Sequence, residues 1–242
     1  MTFRSVYTTT GVEAVTVVHG RNRPGGTPII LCHGYNIGAL QWYASEGEMA
    51  HRACETFDIT AVGADLGGTS TWGNAASITA LDALITWAGT NYNTSTTKVA
   101  LYGTSHGALT ALNWAMRNPS KVAAIALTIP AVSLQGIHDR DPAALGLTAA
   151  IDTAYTNHAG YLAALSARDP STTDNLRTLR ALGSVTRAWY STTDNIIDVP
   201  EVTTFGAGTG ATLTSIGAQG HGLGTCQAEV ADWLGRMTKL AG

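Results

Sequence analysis

Short apolar runs punctuated by glycines alternate along this chain with longer segments whose apolar positions recur every three to four residues. Residues 3–9 and 12–19 alternate apolar and polar positions and are expected to form an antiparallel hairpin turned at Thr10-Gly11. The continuous apolar run at 28–32 reads as a buried strand. Next come an expected helix over about 38–54, a strand over 57–62 and a helix over 75–87, whose Ile78, Leu81, Leu84 and Ile85 share one face. A strand over 98–102 and a helix over 105–117 follow, the helix halted at Asn118-Pro119 because proline disfavours helix in its predecessor. Residues 122–127 read as another buried strand. Strands alternating with helices imply a mostly parallel sheet covered on both faces.

The alternation pauses between about residues 129 and 183. That stretch carries Ala-rich helical segments at 142–155, 159–167 and 173–182 and no convincing strand. Placed after a strand, it would sit at the C-terminal edge of the sheet, where it could roof a pocket or simply pack on a sheet face. Strand patterns resume at 185–190 and 211–216. Residues 226–240 close the chain as an amphipathic helix with Val230, Trp233, Leu234 and Met237 on one face.

Composition narrows the classes. A length of 242 residues without a Pro/Ser-rich linker or charge run fits one domain spanning 1–242. Fourteen Lys+Arg against 17 Asp+Glu, with no basic stripe, speak against a nucleic-acid partner. Three widely spaced cysteines, Cys32, Cys54 and Cys226, lack a C-x-x-C spacing, so zinc and thioredoxin-like sites are not expected. Cys32 reads as a buried thiol, and one bridged pair stays open. No stretch approaches the roughly 20 apolar residues of a membrane span, and the first residues lack an apolar signal core. The expectation is a soluble protein, cytoplasmic or released without a visible signal peptide. The sequence is silent on oligomeric state.

Candidate chemistry centres on Gly103-Thr104-Ser105-His106-Gly107. This G-x-S-x-G lies between a strand and a helix, the context in which a serine hydroxyl is presented on a sharp turn. A serine needs a base to take its proton and an acid to orient that base. His221, in Gly220-His221-Gly222 just past the strand at 211–216, is the candidate base. Asp194 and Asp198 both follow the strand at 185–190 and are candidate acids. His106 adjoins the serine, but neighbouring side chains at a helix start diverge, so its ring is not expected to reach the hydroxyl. An oxyanion needs preplaced donors. The backbone N–H groups of His106 and of Tyr35, in the loop His33-Gly34-Tyr35-Asn36, are the candidates, with Asn36 a weaker one. The side chains of His33 and of Trp72, in the Gly-rich loop 65–74, are possible pocket residues.

In chain order, the His33-Gly34 loop, the Gly103-Thr104-Ser105-His106-Gly107 turn, the Asp194 segment and Gly220-His221 resemble the α/β-hydrolase superfamily, and serine carboxylesterases and lipases in particular. Asp194-Asn195-Ile196-Ile197 looks like the acid loop of that family, commonly D-x-x-V/I, which favours Asp194 over Asp198. The resemblance implies an eight-stranded, mostly parallel sheet with its second strand antiparallel, and a small helical cap between strands 6 and 7, where residues 129–183 fall. It also implies catalysis without metal or organic cofactor. The expected activity is hydrolysis of a carboxylic ester, of a small molecule or a lipid, through Ser105, His221 and Asp194 and an acyl-enzyme. Two alternatives are a hydrolase of a polymeric or cell-envelope lipid ester and a non-catalytic binding module on the same fold.

Overall fold

The computed structural model describes residues 4–9, 13–20, 25–43, 47–141, 144–224 and 226–241. Eight strands form one sheet: β1 (Arg4–Thr9), β2 (Ala14–His19), β3 (Ile29–Cys32), β4 (Thr60–Ala64), β5 (Val99–Thr104), β6 (Val122–Thr128), β7 (Thr186–Tyr190) and β8 (Thr212–Ser215). Their spatial order is β1-β2-β4-β3-β5-β6-β7-β8. β2 pairs antiparallel with β1 and β4, and the remaining pairs are parallel. The expected hairpin is therefore present, with Arg4 opposite His19 and Thr9 opposite Ala14. Its turn at Thr10-Gly11 lies outside the described residues.

Strand alternation divides the core in two. Val17, Ile30, Val62, Leu101, Ile125 and Leu127 face one layer, and Val18, Ile29, Leu31, Tyr102, Ala124 and Trp189 face the other. The first layer is completed by α2 (Ala75–Tyr92), α3 (Gly107–Arg117) and α8 (Val199–Thr209), the second by α1 (Glu48–Phe57) and α9 (Gln227–Ala241). Successive side chains point to opposite faces, so parallel strands covered on both sides are apolar throughout. β5 and β6 accordingly have every residue buried.

Three local expectations are corrected. The helix expected over 38–54 is a 3-10 turn, Ala39–Tyr43, followed by α1, which begins at Glu48. Phe57, read as the start of a strand, ends α1. Gly235 of α9 passes so close that a Cβ there would meet the Phe57 ring. Asp58 then takes a left-handed conformation (φ 51°) that turns the chain into β4. Finally, α8 was not anticipated. Its VPEVTTFGAGT is poor in strong helix formers, but Val202, Phe205 and Thr209 line one buried face, and Pro200 sits in the first turn, where a missing N–H costs nothing.

Between β6 and β7 the chain forms the cap: α4 (Leu134–Arg140), α5 (Leu147–Ala154), α6 (His158–Arg168) and α7 (Thr173–Arg180). α4 was also not anticipated; Ser133 caps it by accepting from the Gly136 N–H at 2.9 Å. The cap is tied to the loop after β4: Asn74 Nδ2 donates to Ala154 O at 2.8 Å, and the Tyr155 hydroxyl donates to Trp72 O at 2.9 Å. Among the described residues all three cysteines are free and buried, and no helix is long and apolar enough to cross a membrane.

Candidate active site

β5 delivers the chain into a turn that only small neighbours permit. A Cβ on Gly103 would lie 2.8 Å from the Ala108 Cα, and one on Gly107 would lie 2.1 Å from the Cys32 carbonyl oxygen. Both obstacles are backbone and cannot move aside. Between the two glycines Ser105 adopts φ 49°, a left-handed conformation unusual for a residue with a side chain. Three backbone bonds pin it: Ser105 N–H donates to Thr128 O, and Ser105 O accepts from the Ala108 and Ala131 N–H groups, each at 3.0 Å.

Ser105 Oγ lies 2.9 Å from His221 Nε2. His221 Nδ1 lies 2.9 and 3.0 Å from the two carboxylate oxygens of Asp194. A carboxylate accepts only, so Nδ1 carries the proton and Nε2 is left to accept from the serine hydroxyl. The Asp194 side chain is 2% exposed and His221 20%. Asp194 Oδ1 also accepts from the backbone N–H groups of Ile196 and Ile197, both at 2.9 Å, which fixes the carboxylate. Asp198 stands instead at the N-cap position of α8.

The loop carrying His221 is fastened to the acid loop. Ser191 Oγ accepts from the Gln219 N–H at 3.0 Å, and Thr193 Oγ1 from the Gly220 N–H at 3.1 Å. Gly220 has φ 58°, which the turn into His221 requires. Sequence reasoning passed over Ser191 and Thr193; their position just after β7, ahead of Asp194, was the available signal.

The loop after β3 is equally well held. The Gly34 N–H donates to Gln41 Oε1 at 2.8 Å, and the Asn36 N–H donates to Thr69 O at 2.9 Å. Among the described residues no hydrogen bond uses the backbone N–H of Tyr35 or of His106. Buried Gln41, another residue not anticipated, borders the cavity beside Gly34 and Tyr35.

His33 does not line the cavity, and that expectation is corrected. Its ring nitrogens face two carbonyl oxygens, Gly34 O at 2.8 Å and Asp65 O at 2.9 Å, so the side chain clamps two loops together. The His106 ring turns away from Ser105, as expected. Its Nε2 accepts from the Trp72 N–H at 2.7 Å, and its Nδ1 lies 3.4 Å from His33 O. Full burial, helped by neighbouring His33, pulls the His106 pKa down to about 3. Trp72 (φ 50°) packs edge-on against His106 and borders the cavity.

That cavity has a volume of about 230 Å³ and opens over Ser105. Ile137, Leu145 and Leu147 of the cap form one wall, and Ile196, Ile197 and Leu223 another. The lining carries no Asp, Glu, Lys or Arg among the described residues. Among the described residues, the one group of three His, Cys, Asp or Glu side chains with converging donor atoms lies in the cap, at His138, Asp152 and His158.

Residues 29–239 match the alpha/beta hydrolase family. This chain belongs to that family. No curated protein matches the sequence significantly. Solved structures resemble it over almost its whole length. Esterase Pf2001 of Pyrococcus furiosus has 16% identity and a TM-score of 0.64 over 100% of this chain and 94% of that one. Est1E from Butyrivibrio proteoclasticus has 16% identity and a TM-score of 0.69 over 98% of each chain. The fluorophosphonate-binding serine hydrolase F of Staphylococcus aureus has 11% identity and a TM-score of 0.70 over 98% of each. At these identities the likeness speaks for a shared fold alone.

Proposed function

We propose that this protein is a serine hydrolase of uncharged carboxylic esters with short acyl chains. The observation that carries the proposal is the continuous hydrogen-bonded line from Ser105 Oγ through His221 to Asp194. In this reading, the Ser105 oxygen attacks the acyl carbon as His221 Nε2 takes its proton. His221 then returns the proton to the leaving alcohol, and the acyl-enzyme remains. A water activated by His221 attacks in turn and releases the acid. Asp194 keeps the imidazole oriented and balances the charge it gains. The N–H groups of Tyr35 and His106 supply the two donors for the oxyanion, and their freedom from other bonds supports that role.

Substrate class follows from the walls. Burying a charged acyl group against the cap would be costly without a partner, so neutral chains are favoured. A cavity of about 230 Å³ is below the roughly 300–1,000 Å³ that holds a drug-sized ligand, which favours short chains. The esterases and the serine hydrolase among the structural neighbours fit the same reading.

Hydrolysis of p-nitrophenyl esters from acetate to palmitate, by wild type and Ser105→Ala in parallel, tests it. The expected result is a maximum at short chains and a loss of at least about 10⁴-fold in Ser105→Ala. Undiminished turnover in that variant would overturn the assignment. No turnover and no labelling of wild type by a fluorophosphonate would indicate a binding protein instead.

A further inference from the structure

His138, Asp152 and His158 come from three different cap helices. His138 lies in the last turn of α4, Asp152 in α5, and His158 opens α6. Asp152 Oδ1 lies 3.2 Å from His138 Nε2 and 3.1 Å from His158 Nδ1. All three donor atoms fall within 4.8 Å of one another. Donors bound to one zinc ion at about 2.0–2.2 Å in tetrahedral array stand about 3.3–3.5 Å apart, so small shifts would bring these onto a common centre.

One further observation points to a cation, and a second concerns how His138 is packed. The other nitrogen of His138, Nδ1, lies 2.9 Å from Asp139 Oδ1. One buried imidazole is thus bracketed by two carboxylates. That is how a metal-bound histidine is oriented: a carboxylate holds the N–H, and the opposite nitrogen faces the metal. The second is Tyr161, whose ring stacks on His138 at 4.0 Å between centroids. Its hydroxyl is buried and has no hydrogen-bond partner among the described residues.

We propose that His138 Nε2, Asp152 Oδ1 and His158 Nδ1 form a binding site for a divalent cation of the zinc class. Two imidazoles and one carboxylate suit zinc, whereas calcium and magnesium prefer oxygen ligands alone. His138 is 6% exposed, Asp152 26% and His158 56%, so the site has a closed floor and an open mouth through which the ion enters and water completes the shell. Bound there, the ion joins α4, α5 and α6 into one unit. Ile137 precedes one ligand, Leu147 starts the helix of another, and both border the cavity over Ser105. The site does not depend on the serine chemistry.

The test titrates Zn²⁺ into metal-free full-length protein against a chromophoric chelator, with calcium as the control. Wild type should bind one equivalent. His158→Ala removes an exposed side chain and should fold; its affinity should fall by at least about a hundredfold, more than loss of an outer-shell partner costs. Asp139→Asn should weaken binding by about tenfold. At a hundredfold excess over the wild-type Kd, zinc should raise the thermal midpoint of wild type by about 5–10 °C and that of His158→Ala by no more than about 2 °C. Asp152→Asn, which keeps the side-chain shape, should behave like His158→Ala. Absence of saturable zinc binding, or the same isotherm in wild type and both ligand variants, would overturn the proposal.

Discussion

Asp194 and His221 meet at 2.9 Å across the ends of two neighbouring strands, and the carboxylate is held by two further backbone N–H groups. Its orientation is therefore set by its own loop before the histidine arrives. Asp194→Asn preserves shape but presents an amide, which favours the wrong imidazole tautomer. Esterase kcat should drop by about 10⁴-fold. Asp198→Asn should keep activity within about threefold, because the Asp198 side chain makes no capping hydrogen bond at the start of α8 and asparagine suits that N-cap position equally. Steady-state kinetics on one p-nitrophenyl ester compares the two. Equal losses would undo the assignment of the acid.

Gly107 and Gly103 differ in what a methyl group would strike, but both would strike backbone. Gly107→Ala, aimed at the Cys32 carbonyl, should destabilise by about 3 kcal/mol or more. Gly220→Ala, with nothing near its Cβ but φ 58°, should cost about 1–2 kcal/mol through backbone strain alone. Urea unfolding of the three proteins checks the order.

Gln41 acts on the site through Gly34. Gln41→Leu leaves the Gly34 N–H buried without its acceptor, a loss of about 1–3 kcal/mol. The loop that carries the Tyr35 N–H should then loosen. If that N–H serves the oxyanion, kcat should fall about 5–100-fold with KM nearly unchanged. A change confined to KM would contradict the positioning role.

His106 makes stability depend on acid. Its folded pKa, about 3, lies below the roughly 6.5 of an unfolded histidine. Between those values the unfolded chain holds one more proton than the folded one, so stability falls as pH drops and is fully present above about 6.5. The contribution is about 1.4 kcal/mol per pH unit in that window. His106→Gln keeps the backbone N–H and removes the titrating ring. Its unfolding free energy should fall less steeply between pH 6 and 4 than that of wild type. Parallel slopes would rule the effect out.

Elements defined by local pattern were legible in the sequence, and so were the positions of Ser105, His221 and Asp194. Buried parallel strands are continuous apolar runs, and the serine turn is marked by its glycines. What escaped depends on distant partners. Phe57 ends a helix because α9 packs on it, and α8 forms on its buried face despite Gly and Thr. His33 could have served a pocket or a clamp; the deciding atom, Asp65 O, lies 32 residues away. The grouping in the cap has no spacing to betray it, since its members sit on three helices.

The cavity draws its reactive edge and its walls from different parts of the chain. Ser105, Asp194 and His221 hang from strand ends locked into the sheet, whereas Ile137, Leu145 and Leu147 belong to an excursion between β6 and β7. Evolution, or an engineer, can therefore recut the fit of the chamber by exchanging cap side chains while the strand-end loops stay untouched. A new fit in this scaffold is within reach of substitutions that never approach the segment carrying Ser105.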